Sequence, residues 1–357
     1  MRKPLTKHAR ALLTIAALGV TVIGASIATF GIEQARMNEY RSFISESSAS
    51  SSCIGAPAIR NPDCGNKFSV LEGLDAALAA SDVGIVEGSM PFIDGCAQEL
   101  IGAEILSKHC RWNQPNATRT IAIVGDSHAA QWADALLAVA PQRRWNVEVY
   151  FHGGCLASNV DGTRLQDATD GACRAWSAHV ADALRERNDI DVIVYGARMG
   201  LYVQEYLSKL PNLTEEEAST AVVQASSRFI ASWLKDTTPT LIMQDTPDPG
   251  VNVPACISKT TQDTDPCSSP RISTASLPTL PLLRRGPLTD HESAPLATQL
   301  GLPLVPTSDL VCDTQCHAVI GGIPVYRDDN HLTASFARTA ATILSSRVEN
   351  LTAGKTR

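Results

Sequence analysis

The stretch IAIVGDSHAAQWADALL (Ile121 to Leu137) decides the reading of this chain. Four apolar residues, Ile121 to Val124, run into Gly125, Asp126, Ser127 and His128, and apolar residues at helical spacing begin at once. A short apolar run of this kind is a strand buried on both faces, so the segment predicts strand, tight turn and helix. Ser127 then stands at the strand end and opens the helix. The helix-terminal N–H groups and the dipole there favour negative charge, which an attacked carbonyl oxygen develops.

The same alternation continues down the chain. Further strands are expected at 147–153, 191–197, 240–245 and 303–308, after a first one at 120–125. Helices are expected at 128–140, 175–187, 215–235, 290–300 and 333–348. Buried strands alternating with helices indicate an α/β fold with a parallel sheet covered by helices, whose ligand site lies at the carboxyl ends of the strands. Residues 247–288, rich in Pro, Ser and Thr, read as a long inserted loop.

A hydroxyl nucleophile needs a base. In YRDDNHLTASFA (Tyr326 to Ala337), Asp328 and His331 are three apart, just ahead of the last expected helix. At that spacing a carboxylate can orient an imidazole from one turn, and the ring can take the proton of Ser127. The bland reading is that Ser127 and His331 merely cap their helices. Asp126 is expected to hydrogen-bond the turn, and Trp132 to pack in the core. His128 either assists the site or is a polar residue of the first helical turn. Arg198, at the end of the third strand, points to the same rim, as a substrate or oxyanion contact or as an ordinary surface arginine.

The chain has 357 residues, 44% of them hydrophobic, enough for one large domain with additions. Its net charge is −7, and no basic run follows the first ten residues, which argues against a nucleic-acid partner. Residues 1–10 carry Arg2, Lys3, Lys7 and Arg10, and residues 11–32 are 22 uncharged residues. At about 1.5 Å per residue that length spans a bilayer core, so a transmembrane anchor is expected with a cytoplasmic N-terminus and everything after Glu33 outside. A cleaved signal peptide is the rival reading, since ASIA resembles a cleavage site. Serine-rich residues 33–52 read as a flexible stalk and residues 53–119 as a disulfide-pinned extension, ahead of a main domain at 120–350.

Ten cysteines outside the cytoplasm suggest disulfides. Proximity suggests Cys53–Cys64, Cys96–Cys110, Cys155–Cys173, Cys256–Cys267 and Cys312–Cys316. The CDTQCH segment (Cys312 to His317) has three residues between its cysteines where haem attachment uses two, and further zinc ligands are not evident, so a local disulfide is preferred over a metal.

GDSH at 125–128 and DDNH at 328–331 resemble the first and last blocks of the SGNH/GDSL hydrolase family, in particular the SGNH domains fused to membrane O-acyltransferases that modify cell-surface glycans. The resemblance covers about residues 120 to 350. It implies a three-layer α/β/α, flavodoxin-like fold with a five-stranded parallel sheet. It also implies Ser127 as nucleophile, His331 as base and Asp328, rather than its neighbour Asp329, as the partner of the base, with no cofactor. The family's oxyanion hole uses the serine N–H, a glycine after the second strand and an asparagine after the third. FHGGC supplies Gly153 or Gly154, whereas VIVYGARMG places Gly196, Ala197 and Arg198 where the asparagine block belongs. The acyltransferase-linked branch commonly departs from the pattern there too, and the missing donor is either absent or replaced by backbone or by Arg198.

The resemblance thus implies an extracytoplasmic O-acetyltransferase or O-acetylesterase acting on glycan or glycolipid hydroxyls of the cell envelope. A multi-spanning acyltransferase acting in trans is its implied partner. The alternative is a catalytically weak, glycan-binding surface protein that keeps the fold.

Overall fold

The computed structural model describes residues 31–71, 76–88, 95–101, 104–260, 265, 267–271 and 293–354. Nearly all of the expected anchor at 11–32 lies outside them; among the described residues no helix is long and apolar enough to cross a membrane.

The serine-rich segment expected as a stalk is instead helical over 31–50, helix α1. Met37, Tyr40 and Ile44 recur at i, i+3 and i+7 and are buried against the main domain. That packing outweighs the weak helix propensity of the serines. Arg41 completes the dock by donating to buried Asp82 at 2.9 Å.

Two short helices follow, α2 (Ala76–Ser81) and α3 (Ile85–Gly88), and then a hairpin of β1 (Cys96–Ile101) and β2 (Glu104–Trp112). The main domain runs β3 (Arg119–Gly125), α4 (Ser127–Ala130), α5 (Ala133–Arg143), β4 (Trp145–His152), α6 (Gly171–Glu186), β5 (Val192–Gly196), α7 (Met199–Lys209), α8 (Glu215–Trp233) and β6 (Thr240–Met243). It ends with α9 (Val253–Ile257), β7 (Ser269–Pro270), α10 (Ser293–Leu300), β8 (Leu304–Val305), α11 (Ala334–Thr339) and α12 (Ala341–Thr352). Helix α9 and strand β7 lie within the expected inserted loop, part of which falls outside the described residues.

The sheet has seven strands, ordered β1-β2-β4-β3-β5-β6-β8. Its five parallel strands are those expected. The correction is at one edge, where β2 pairs antiparallel with β4 from Ser107↔His152 to Trp112↔Val147. The extension therefore continues the sheet instead of packing beside it. A charge network around one buried carboxylate ties this seam. Glu148 of β4, fully buried, accepts from Arg187 at 2.9 Å and lies 3.2 Å from Arg111 of β2 and 3.4 Å from His109. Burial opposes its charge, but hydrogen bonds from His109 and Arg187 hold its carboxyl down at about 2.

Alternate residues of β3 feed two cores, as the strand period demands. Ile121 and Ile123 pack with Trp132, Leu136, Phe336 and Leu344 on one face. Ala122 and Val124 pack with Trp176, Tyr202, Val222 and Phe229 on the other. The chain leaves β3 over the first face and β5 over the second, so a crevice opens between their carboxyl ends. Ser127 and Arg198 stand at its two sides.

All ten cysteines are paired in the five expected disulfides. Cys96–Cys110 closes the β1–β2 hairpin across a register pair.

Candidate active site

The turn after β3 is built around Asp126, not Ser127. Asp126 is the N-cap of α4, its carboxylate accepting from the His128 N–H at 2.9 Å. The other carboxylate oxygen accepts from the Arg198 N–H at 3.0 Å and the Tyr202 hydroxyl at 2.9 Å. Burial pushes this carboxyl above its ordinary value. With the cap supplied by its neighbour, the Ser127 side chain is free for another partner.

That partner is His331. Its Nε2 lies 2.8 Å from Ser127 Oγ, and its Nδ1 lies 2.8 Å from Asp328 Oδ2. Asp328 also accepts from the backbone N–H groups of His331 at 2.7 Å and Asn330 at 2.8 Å. Burial acts against its charge, but these hydrogen bonds hold its carboxyl well below the usual carboxylate range. An ionised carboxylate can only accept, so Nδ1 carries the proton, and Nε2 of the neutral ring accepts from the serine hydroxyl. The spacing that matters in DDNH is the one to Asp328; Asp329 instead accepts from Asn330 Nδ2 at 2.6 Å.

His128 does not touch Ser127 through its ring. It is 3% exposed, with Nδ1 2.7 Å from Asp245 Oδ1 and Nε2 3.0 Å from Asn330 Oδ1, and its ring meets that of His331 edge-on at 5.3 Å. One turn on, Gln131 accepts from the Leu332 N–H at 2.8 Å and donates to Thr246 Oγ1 at 3.0 Å. Helix α4 thus stitches the loop after β6 to the turn that carries His331. Asp245, Thr246, Gln131 and Asn330 were not singled out from the sequence. The position of Asp245 at the end of the 240–245 run, where such sheets place their sites, was the available signal.

Both ring nitrogens of His128 face acceptors, so the clamp needs the imidazolium. Burial alone would lower its pKa; Asp245, by charge and hydrogen bond, and then Asp126 and Asp248 reverse this and raise it to about 9. A folded value above the unfolded 6.5 stabilises most below about pH 6.5, an effect on the order of 3 kcal/mol that disappears as pH rises through about 9. Wild-type protein is expected to lose melting temperature between about pH 7 and pH 10 more steeply than His128→Gln. Parallel curves in a thermal-melt series would show that this histidine does not clamp as an imidazolium.

The remaining rim residues fall as follows. Gly153 and Gly154 follow the end of β4, whose Phe151 pairs with Gly125 across the ladder, so they lie at the carboxyl end of the sheet on the side of β3 away from β5. Arg198 is half-buried, and its guanidinium donates to Asp248 at 2.7 Å. Trp132 is fully buried in the core. Cys312 and Cys316 are bonded to each other, and no group of three or more metal-ligating side chains was found among the described residues.

Fold and site together define an SGNH-hydrolase-like α/β protein with a mostly parallel central sheet. Residues 95–346 match the family described as the SGNH domain fused to AT3 domains, and the chain belongs to that family. It is an acyl-transferring or ester-hydrolysing enzyme. No curated protein matches the chain in sequence. Among solved structures, it is similar to the periplasmic domain of a lipopolysaccharide acetyltransferase from Salmonella ser. Paratyphi A, at 15% identity over 66% of this chain and 85% of that one, with a TM-score of 0.44. A carbohydrate acetylesterase family member from Sinorhizobium meliloti matches at 16% identity over 66% of this chain and 99% of that one, with a TM-score of 0.35. The aryl esterase of M. smegmatis matches at 12% identity over 66% of this chain and 100% of that one, with a TM-score of 0.33.

Proposed function

We propose that the chain is an extracytoplasmic serine enzyme that moves an acyl group, acetyl in the first instance, from an ester donor to a glycan hydroxyl of the cell envelope or to water. The observation that carries this reading is the hydrogen-bonded series Asp328, His331, Ser127, with 2.8 Å at each link. In it, Ser127 Oγ attacks the acyl carbonyl as its proton passes to His331 Nε2. The tetrahedral oxyanion faces the Ser127 N–H, which has no intrahelical partner at the first helical position. Gly153 or Gly154 supplies a second N–H. As the intermediate collapses, the departing alkoxide takes the proton from His331 and Ser127 is left acylated. An acceptor hydroxyl then gives its proton to His331, attacks the acyl-serine and leaves as the new ester, regenerating the serine. With water as acceptor, the product is a carboxylic acid.

Five disulfides support folding in an oxidising compartment. An anchor at 11–32 would hold the domain at the outer membrane face, and a multi-spanning acyltransferase acting in trans would supply the donor. The family's description as a domain fused to AT3 domains supports such a partner.

The test is to trap the acyl-enzyme. An activated acetyl ester is expected to acetylate Ser127 in a peptide map, and added glycan acceptors to discharge it. Asp328→Asn, which favours the wrong tautomer of His331, should slow turnover by about 10⁴-fold, as in other serine triads. Acetylation elsewhere with Ser127 unmodified, or none at all with retained glycan binding, would favour the binding-module reading.

A further inference from the structure

Behind the triad lies a part-buried ion pair that catalytic chemistry does not require. Arg327 Nη2 donates to Glu87 Oε1 at 2.8 Å, and Arg327 Nη1 stands 3.4 Å from Asp328 Oδ2. The Arg327 and Glu87 side chains are each only 15% exposed. The Arg327 N–H also donates to the His331 carbonyl at 2.9 Å, closing the turn that presents the histidine. Glu87 lies in α3, outside the residues that the family match covers.

Helix α3 is held firmly. The Ile85 N–H donates to buried Asp134 of α5 at 2.8 Å. Lys108 of β2 donates to the carbonyls of Val86 at 2.8 Å and Glu87 at 3.2 Å. The N-terminal extension thus places a carboxylate in contact with the cation that faces the triad aspartate.

We infer that Glu87 and Arg327 are positioning residues, a two-member relay that sets the charge and orientation of Asp328 and, through it, the proton affinity of His331. The relay rests on the triad reading above. Arg327 opposes the negative charge of Asp328, and Glu87 tempers Arg327. Other charges close to the triad stay constant in the test: Lys108 beside Glu87, the His128–Asp245 pair beside His331, Asp329 on Asn330, buried Asp126 beneath the nucleophile and the Arg198–Asp248 pair across the crevice. From α9, the Val253 N–H donates to the Asp328 carbonyl at 3.1 Å.

The two members have opposite signs, so their removal has opposite effects. Arg327→Gln leaves Asp328 and Glu87 uncompensated, favours the imidazolium and moves the acid limb of the kcat/KM profile for acetyl-ester hydrolysis up by about one pH unit. Glu87→Gln removes the anion that offsets Arg327 beside Asp328 and moves the limb down by about half a unit. Arg327→Lys keeps the charge and restores a limb near that of wild type. KM changes little in all three.

Profiles of the full chain and these variants, with thermal melting in parallel, decide the matter. Opposite shifts support the relay. Equal limbs with lowered melting temperatures, or shifts of one sign, overturn it by showing a packing role only. If Arg327→Gln fails to fold, Glu87→Gln decides alone through the sign of its shift. Ser127→Ala and His331→Ala run beside them separate the two levels: if both are inactive and the limbs still do not move, the relay falls while the triad stands.

Discussion

Ser127→Ala is expected to lower acetyl-ester turnover by about 10⁴-fold or more while leaving the melting temperature essentially unchanged. Both halves follow from the turn after β3. A serine at a helix start is ordinarily a cap, and losing a cap costs about 1 kcal/mol of stability. Here the cap is Asp126, and the described partner of Ser127 Oγ is His331 Nε2. Removing the hydroxyl therefore subtracts the proposed nucleophile and nothing that supports the turn. His331→Ala should fall to a similar level, because members of such a unit act together and their losses do not add. The measurement is a steady-state assay on a chromogenic acetyl ester, with calorimetry of the same preparations. Wild-type rates from Ser127→Ala would remove the enzymatic assignment of this serine, and a large drop in melting temperature would return it to a capping role.

Gly125→Ala is expected to be the most damaging single-methyl change in the sheet. Gly125 has φ of +151°, a region glycine tolerates and other residues avoid. A Cβ there would stand 1.8 Å from the Gly196 carbonyl oxygen and 2.9 Å from the Ala129 Cβ. Strands β3 and β5 would have to part at the ladder pair Gly125↔Gly196, directly beneath the serine. The combined strain and lost packing should cost about 3 kcal/mol or more, enough to lower the melting temperature by several degrees and the soluble yield with it. Melting temperature and yield check this directly. A variant that melts like wild type would show that the two strands have room to separate.

Much of the fold was legible because parallel strands buried on both faces write themselves as short apolar runs, as at 120–125 and 191–197. Helix α7 was missed although Met199, Tyr202, Val203 and Tyr206 keep helical spacing, because Gly200 interrupts its first turn. The hairpin β1–β2 was missed because strand residues such as Lys108, His109 and Arg111 are polar and gain their place by pairing with β4. Helix α1 was hidden by its serines.

In the site, Ser127, Asp328 and His331 were readable because each sits in a local motif. Asp245 and Glu87 were not. Asp245 meets His128 from 117 positions away, and Glu87 meets Arg327 from 240. No local spacing encodes such contacts; only the folded topology creates them.

The sulfur bridges carry a consequence for biogenesis. Each joins a cysteine to the very next one along the chain, at separations of 4 to 18 residues. A polypeptide threaded N-terminus first into an oxidant meets its correct partners in order of emergence. Vectorial oxidation should thus give the native set directly, with little need for a reshuffling catalyst.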